Sequence, residues 1–147
     1  MSFPLLPEQR TRTPWPLALL ARIAVTAAWF LIKLPPARLR RVLGAAARGA
    51  RPATEAEALT SRRAVVSVSR RCAGQGCLQR AVATVLLCRV KGNWPDWCTG
   101  VRTQPFRAHA WVEVNRHPVG EDENVRLFHT LIRVPAPTDR RRARDHA

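Results

Sequence analysis

The chain has 147 residues, 46% of them hydrophobic and 24% charged. That suffices for one compact domain with a real core, is too short for two, and is too apolar for a wholly disordered chain. Lys+Arg number 25 against 10 Asp+Glu, a net charge of +15 that suits an acidic partner, and four cysteines are too few for a disulfide scaffold.

Residues 1–14 carry Pro4, Pro7 and Pro14 and read as a flexible lead-in. Residues 15–34, WPLALLARIAVTAAWFLIKL, are the most apolar stretch. Trp15-Pro16 suits a helix start and Pro35-Pro36 a stop. Arg22, Thr26 and Lys33 fall within about 40° of each other at 100° per residue. One polar stripe on an apolar helix fits docking on the domain or a partner, or lying on a membrane surface, better than a membrane span or secretory signal. Residues 37–50 predict a basic helix with Leu39, Val42 and Leu43 as its apolar side, and Thr54 with Glu57 predicts a capping box for a helix over about 55–63. The region 15–71 therefore reads as apolar and basic helices. Residues 1–71 together carry 13 Arg/Lys and 3 acids, residues 72–147 carry 12 and 7.

Gly74-Gln75-Gly76 is a tight loop. In CLQRAVATVLLCRVKG, Leu78, Ala81, Val82, Val85 and Leu86 recur at helical spacing, with Gly92 as a stop. Cys77 thus stands at the start of a buried helix. Trp94-Pro95-Asp96-Trp97 and CTGVRT follow. AHAWVEVN then alternates, with His109, Trp111, Glu113 and Asn115 on one strand face and Ala110, Val112 and Val114 on the other. A turn at Arg116-His117-Pro118 precedes a further predicted strand over 125–134. Helices first and then an antiparallel sheet is an α+β arrangement. Residues 72–135 form its expected core. The tail over 136–147 is rich in Arg and is expected to be disordered.

A thiol acts as a nucleophile in its thiolate form, which a helix N-terminus and a nearby imidazole both favour. Cys77 has the first, and His109 on a packed strand would supply the second. A third group would orient the imidazole; Glu113, Glu121 and Asp122 are candidates, though Glu113 lies roughly 13 Å along the strand. Trp94, Trp97 and Trp111 bracket the site as core or as a substrate wall. The rival is a metal site at Cys72, Cys77, Cys88 and Cys98. Their gaps of four, ten and nine residues do not repeat a close pair. Cys77 and Cys88 would be roughly 16 Å apart along the helix, and Cys88 reads as core. The expectation is no metal and no cofactor. His129 shares a predicted face with Val125, Leu127 and Leu131, which favours a core or sheet-face role. His117 sits in a turn and His146 in the tail.

GQGCLQRAVATVLLCRVKG, WPDWCTGVRTQPFRAHAWVEV and HPVGE, in this order, resemble the lasso-peptide biosynthesis B2 proteins, leader peptidases with a transglutaminase-like, papain-related fold. The apolar N-terminal helix and LPPARLRRVL extend the resemblance over roughly residues 15–135. It implies Cys77 as nucleophile and His109 as base. The family's third residue is usually an Asp twelve positions after that His; Glu121 stands there, with Asp122 next to it. The resemblance further implies a cytoplasmic thiol protease that frees the α-amine of a core peptide, which an ATP-dependent cyclase then closes into a ring. The leader-recognition domain is expected to be a separate protein. The Cys77 backbone N–H is the expected oxyanion donor, with Gln75 as a second. A non-catalytic scaffold that docks leader and cyclase is the alternative. A nucleic-acid-binding protein would rest on charge alone, since no nucleic-acid-binding motif is present, and no nucleic-acid partner is expected.

Overall fold

The computed structural model describes residues 12–137. The expectations for a flexible lead-in and a disordered tail fall almost wholly outside them. Helix α1 spans Trp15–Leu31, with Pro14 as N-cap and Pro16 in its first turn. Pro35 and Pro36 do more than stop it: they are the N-cap and first residue of α2, Pro36–Ala47. A proline at a helix start loses nothing, because its missing N–H would have had no intrahelical acceptor. Leu39 and Leu43 of α2 are buried, whereas Val42 is 39% exposed.

A two-residue strand β1, Arg51–Pro52, leads into α3, Glu55–Val68. The Thr54–Glu57 capping box forms in both directions. Glu57 is further held by Arg51, through bonds of 2.9 and 2.6 Å, and by Asn93 Nδ2 at 2.6 Å. These contacts tie the α3 start to β1 and to β2, Asn93–Trp94, which pair in parallel. The helix runs five residues beyond its expected end because Ala64, Val65 and Val66 continue its buried face.

One turn of helix, α4, Arg70–Ala73, precedes α5, Cys77–Val90. Helix α5 is buried on nearly all sides: Gln79 to Val85, Leu87 and Cys88 are inaccessible. It runs through the middle of the molecule, against α1, α3 and the sheet. Alanines make this possible. Ala21, Ala24 and Ala28 of α1, none more than 5% exposed, face it and permit close approach.

Strands β3, Asp96–Thr103, β4, Phe106–Val114, β5, His117–Pro118, and β6, His129–Val134, form an antiparallel sheet in the order β5-β4-β3-β6. Asn115 and Arg116, both at positive φ, make the turn from β4 to β5. Ala110, Val112 and Val114 of β4 join the core shared with α5. Trp111 on the opposite face joins a second cluster with Cys98, Val125 and Phe128.

Two expectations are corrected here. The single strand over 125–134 is a 3-10 helix, Glu123–Leu127, followed by β6. Val125 turns inward to cover Trp111, which an extended chain would not allow. His129 and Leu131 accordingly share no buried face: both are exposed, Leu131 by 66%.

Candidate active site

The loop before α5 sets the position of Cys77. Gly76 is the N-cap, and no side chain caps the helix. A Cβ at Gly76 would lie 2.6 Å from the Arg71 carbonyl oxygen, so only glycine lets the chain pass this close. Cys77 therefore stands at an uncapped, electropositive helix end, where partial positive charge favours thiolate.

The Cys77 thiol lies beside the His109 imidazole and the backbone N–H of Ala110, both of which favour its ionised form. The Nε2 atom of His109 lies 3.0 Å from Glu121 Oε2, which leaves Nδ1 for the thiol. The His109 ring is stacked at 5.9 Å on Trp111 and lies 5.5 Å from Phe128, so its plane is fixed on one side by aromatic packing. Glu121 reaches it because the chain after β5 returns alongside β4. The Val119 N–H donates to the Val112 carbonyl at 2.9 Å. Gly120 then turns at φ +66, where a Cβ would meet the Arg62 side chain at 2.8 Å. Asp122 points elsewhere and accepts from Asn124 at 3.0 Å.

Two arginines that sequence reasoning left out complete the arrangement. Arg62 Nη2 lies 3.4 Å and Arg80 Nη2 3.7 Å from Glu121 Oε1, and all three side chains are less than 10% exposed. Arg80 also donates to the Cys72 carbonyl at 3.0 Å and the Gly74 carbonyl at 3.5 Å. It thus ties the loop before Cys77 to Glu121. Its place three residues after Cys77, on a neighbouring line of the helix, was the available signal. Arg62 carried none, being 59 residues from Glu121 in sequence.

The electrostatics follow from these contacts. Burial disfavours the Glu121 carboxylate, yet the His109 hydrogen bond and the charges of Arg62, His109 and Arg80 hold its pKa below the usual value. Burial likewise opposes ionisation of Cys77, but the His109 and Ala110 hydrogen bonds and the nearby cations lower its pKa. For His109, burial disfavours the imidazolium; bonds to Cys77 and Glu121 outweigh it and raise the pKa to about 9. Both shifts favour a thiolate–imidazolium pair, and the two buried arginines add positive charge beside the anions.

A pH profile follows. Activity that needs both ions should fall at low pH as Cys77 takes up its proton, with a midpoint below the ordinary thiol range. It should fall again near pH 9 as His109 loses its proton. A rate measured from pH 4 to 11 should be bell-shaped, its limbs reporting the coupled pair.

Cys77 opens into a cleft of about 500 Å³ lined by Ile32, Arg71, Gln75, Gly76, Leu78 and Gln79. Gln75, the second expected oxyanion donor, is among the lining residues. The Cys77 backbone N–H, the first, is already engaged: it donates to the Gln75 carbonyl at 3.0 Å. The amides of Leu78 and Gln79, next in the first turn, lack intrahelical acceptors, and both residues line the cleft, which makes them candidate oxyanion donors. A second cleft of about 370 Å³ is lined by Trp111, Pro118, Val125 and Phe128 among others, and Trp111 and Phe128 are the rings that pack on His109. Trp94 and Trp97 are 0% and 1% exposed and belong to the core, not to a substrate wall. Their strands begin beneath α5, and Trp94 Nε1 donates inward to the Val134 carbonyl. Glu113 binds Trp111 Nε1 at 2.9 Å and Arg133 at 2.8 Å, away from His109. Cys72, Cys88 and Cys98 are buried, with pKa values raised first by burial, that of Cys98 to about 12. Among the described residues no three His, Cys, Asp or Glu side chains are grouped to hold a metal.

The arrangement of helices and antiparallel sheet around Cys77 and His109 can be set beside sequence comparison. The profile of the transglutaminase-like superfamily matches residues 21–133. The chain belongs to the transglutaminase-like superfamily. That superfamily includes cysteine peptidases. The match begins within α1 and ends within β6, so the N-terminal helices and the sheet belong to one transglutaminase-like domain. No curated protein and no solved structure matches the chain.

Proposed function

We propose that this transglutaminase-like domain is a cysteine endopeptidase that removes the leader from a ribosomally made lasso-peptide precursor. The observation that carries the peptidase reading is the connected series Cys77–His109–Glu121 at the mouth of a cleft. The narrower reading rests on the blocks GQGCLQRA, FRAHAWVEV and HPVGE, which resemble the lasso B2 leader peptidases.

The chemistry follows from the residue types. The Cys77 thiolate attacks the leader–core carbonyl, and the tetrahedral oxyanion points to the amides at the start of α5. As the C–N bond breaks, His109 gives its proton to the leaving core amine, and the leader remains as a thioester on Cys77. Water then attacks the thioester carbonyl while His109 takes its proton. The C–S bond breaks, releasing the leader carboxylate and restoring the thiolate. Glu121 holds the ring and its charge throughout. The second cleft lies on the His109 side, which suits the residues that leave with the core amine.

Recognition of the leader is assigned to a separate small protein, and ring closure to an ATP-dependent cyclase. A leader held beside the cleft raises the local substrate concentration without new contacts at Cys77. The test is reconstitution: the chain, a short precursor and a recognition-domain protein from neighbouring reading frames, analysed by mass spectrometry. One cut at the leader–core junction is expected, at least tenfold faster with the recognition protein. Full-rate cleavage by the chain alone would remove the separate partner. No cleavage in any combination would favour a non-catalytic scaffold.

A further inference from the structure

Helix α1 is apolar on two faces, and only one of them is covered. The covered face is made of small residues, Ala21, Ala24 and Ala28. The opposite face carries the large ones: Trp15, Leu19, Ile23 and Phe30 are 79%, 54%, 59% and 61% exposed, and Trp29 is 38% exposed. At 100° per residue the four most exposed fall within about 80° of each other, and the three alanines lie on the far side of the helix. Monomeric proteins seldom leave a run of large apolar side chains open to water. Core packing does not explain it, since the core takes the alanines with Leu17, Leu20, Val25 and Leu31 packed beside them, and none of the exposed large residues.

The polar groups on this outer face are cationic or already bonded. Arg22 and Lys33 are exposed. Thr26 turns its hydroxyl back to the Arg22 carbonyl at 2.9 Å. Lys33 Nζ sits 3.3 Å above the Trp29 ring, a cation carried on an apolar surface. No Asp or Glu occurs from residue 12 to residue 54, while Arg12, Arg22, Lys33, Arg38, Arg40, Arg41 and Arg48 are all exposed. Yet no helix among the described residues is long and apolar enough to cross a membrane.

We infer that the outer face of α1 docks on an anionic lipid surface, lying in the plane of the headgroups. Trp15, Leu19, Ile23, Trp29 and Phe30 enter the headgroup–acyl boundary, and Arg22 and Lys33 reach lipid phosphates from the same face. A second copy of the chain is disfavoured by charge: it would bring Arg22 and Lys33 against their own kind in a molecule of net charge +15. Ile32, the C-cap residue of the same helix, lines the cleft of Cys77 from the covered side of α1. The inference rests on α1 alone and stands or falls independently of the peptidase reading.

Co-sedimentation of the full chain with vesicles tests it. Vesicles of phosphatidylglycerol and phosphatidylcholine should bind at least tenfold more chain than vesicles of phosphatidylcholine alone. The triple variant Leu19→Ser, Ile23→Ser, Phe30→Ser keeps the charge and alters only exposed positions. It should lower the anionic partition coefficient at least tenfold while its Tm stays within a few degrees. Arg22→Gln with Lys33→Gln, which keeps the apolar stripe, should reduce the preference for anionic lipid and guards against a misfolded triple variant. Equal binding to both vesicle types, or undiminished binding by both variants, overturns the inference. So does a dimer that the triple variant dissolves, which assigns the face to a second copy. A monomer that ignores anionic vesicles leaves the face to a protein partner and overturns it as well.

Discussion

Replacing Cys77 by Ala should lower leader cleavage by at least about 10⁴-fold, to a rate set by whatever the helix end and His109 do without a nucleophile. Folding should be unaffected, because Cys77 is partly exposed at a cleft and fills no core position. Cys72→Ala, Cys88→Ala and Cys98→Ala should behave in the opposite way. All three thiols are fully buried and held in the protonated form by burial. Each substitution removes packing, at a cost of about 1 kcal/mol, and should leave most of the turnover intact. Rates at equal folded concentration for the four variants check this. Retained activity in Cys77→Ala would remove the thiol from the chemistry.

The second large effect is expected at Glu121. Glu121→Gln keeps an acceptor for His109 Nε2 but loses the charge that stabilises the imidazolium, so the rate should fall by about 10²–10⁴-fold. The alkaline limb should also move down from about pH 9, since the Glu121 contacts help raise the His109 pKa. Stability should suffer too. Arg62 and Arg80 would each lose this buried carboxylate, and breaking a buried ion pair costs about 3–5 kcal/mol. That contribution is present at neutral pH and is lost as pH falls through the lowered Glu121 pKa. Asp122→Asn should change neither rate nor melting temperature much, because Asp122 is exposed and bonded to Asn124. Severe loss in Asp122→Asn with a near-normal Glu121→Gln would reverse the two roles.

The sequence disclosed the parts of the site that local pattern controls. A glycine loop followed by an apolar 3.6-residue period placed Cys77 at a helix start, and period-two alternation put His109 on a strand. The resemblance to the leader peptidases, counted from His109, pointed to Glu121, and the structure brings Glu121 to it through a turn at Gly120. Arg62 and Arg80 escaped notice for a physical reason. Twenty-three arginines give a strong prior for solvated surface, and the burial of these two depends on contacts made by segments distant in the chain. The tryptophans misled in the other direction. Trp94 and Trp97 neighbour the site in sequence but lie beneath the central helix, where the sheet and α5 enclose them. The Cys77 amide was misjudged because the turn at Gln75 uses it before any substrate arrives. Likewise, periodicity showed one polar stripe on an otherwise apolar α1 but could not tell that the alanines would turn inward.

The most direct test of a thiolate peptidase is capture of its covalent intermediate. The full chain is mixed with precursor and the recognition protein, quenched in acid within the first turnover, and its intact mass measured. The expected result is an adduct equal to the leader fragment less one water, mapping to Cys77 and absent from Cys77→Ala. Cleavage that proceeds with no adduct and persists in Cys77→Ala would contradict the account.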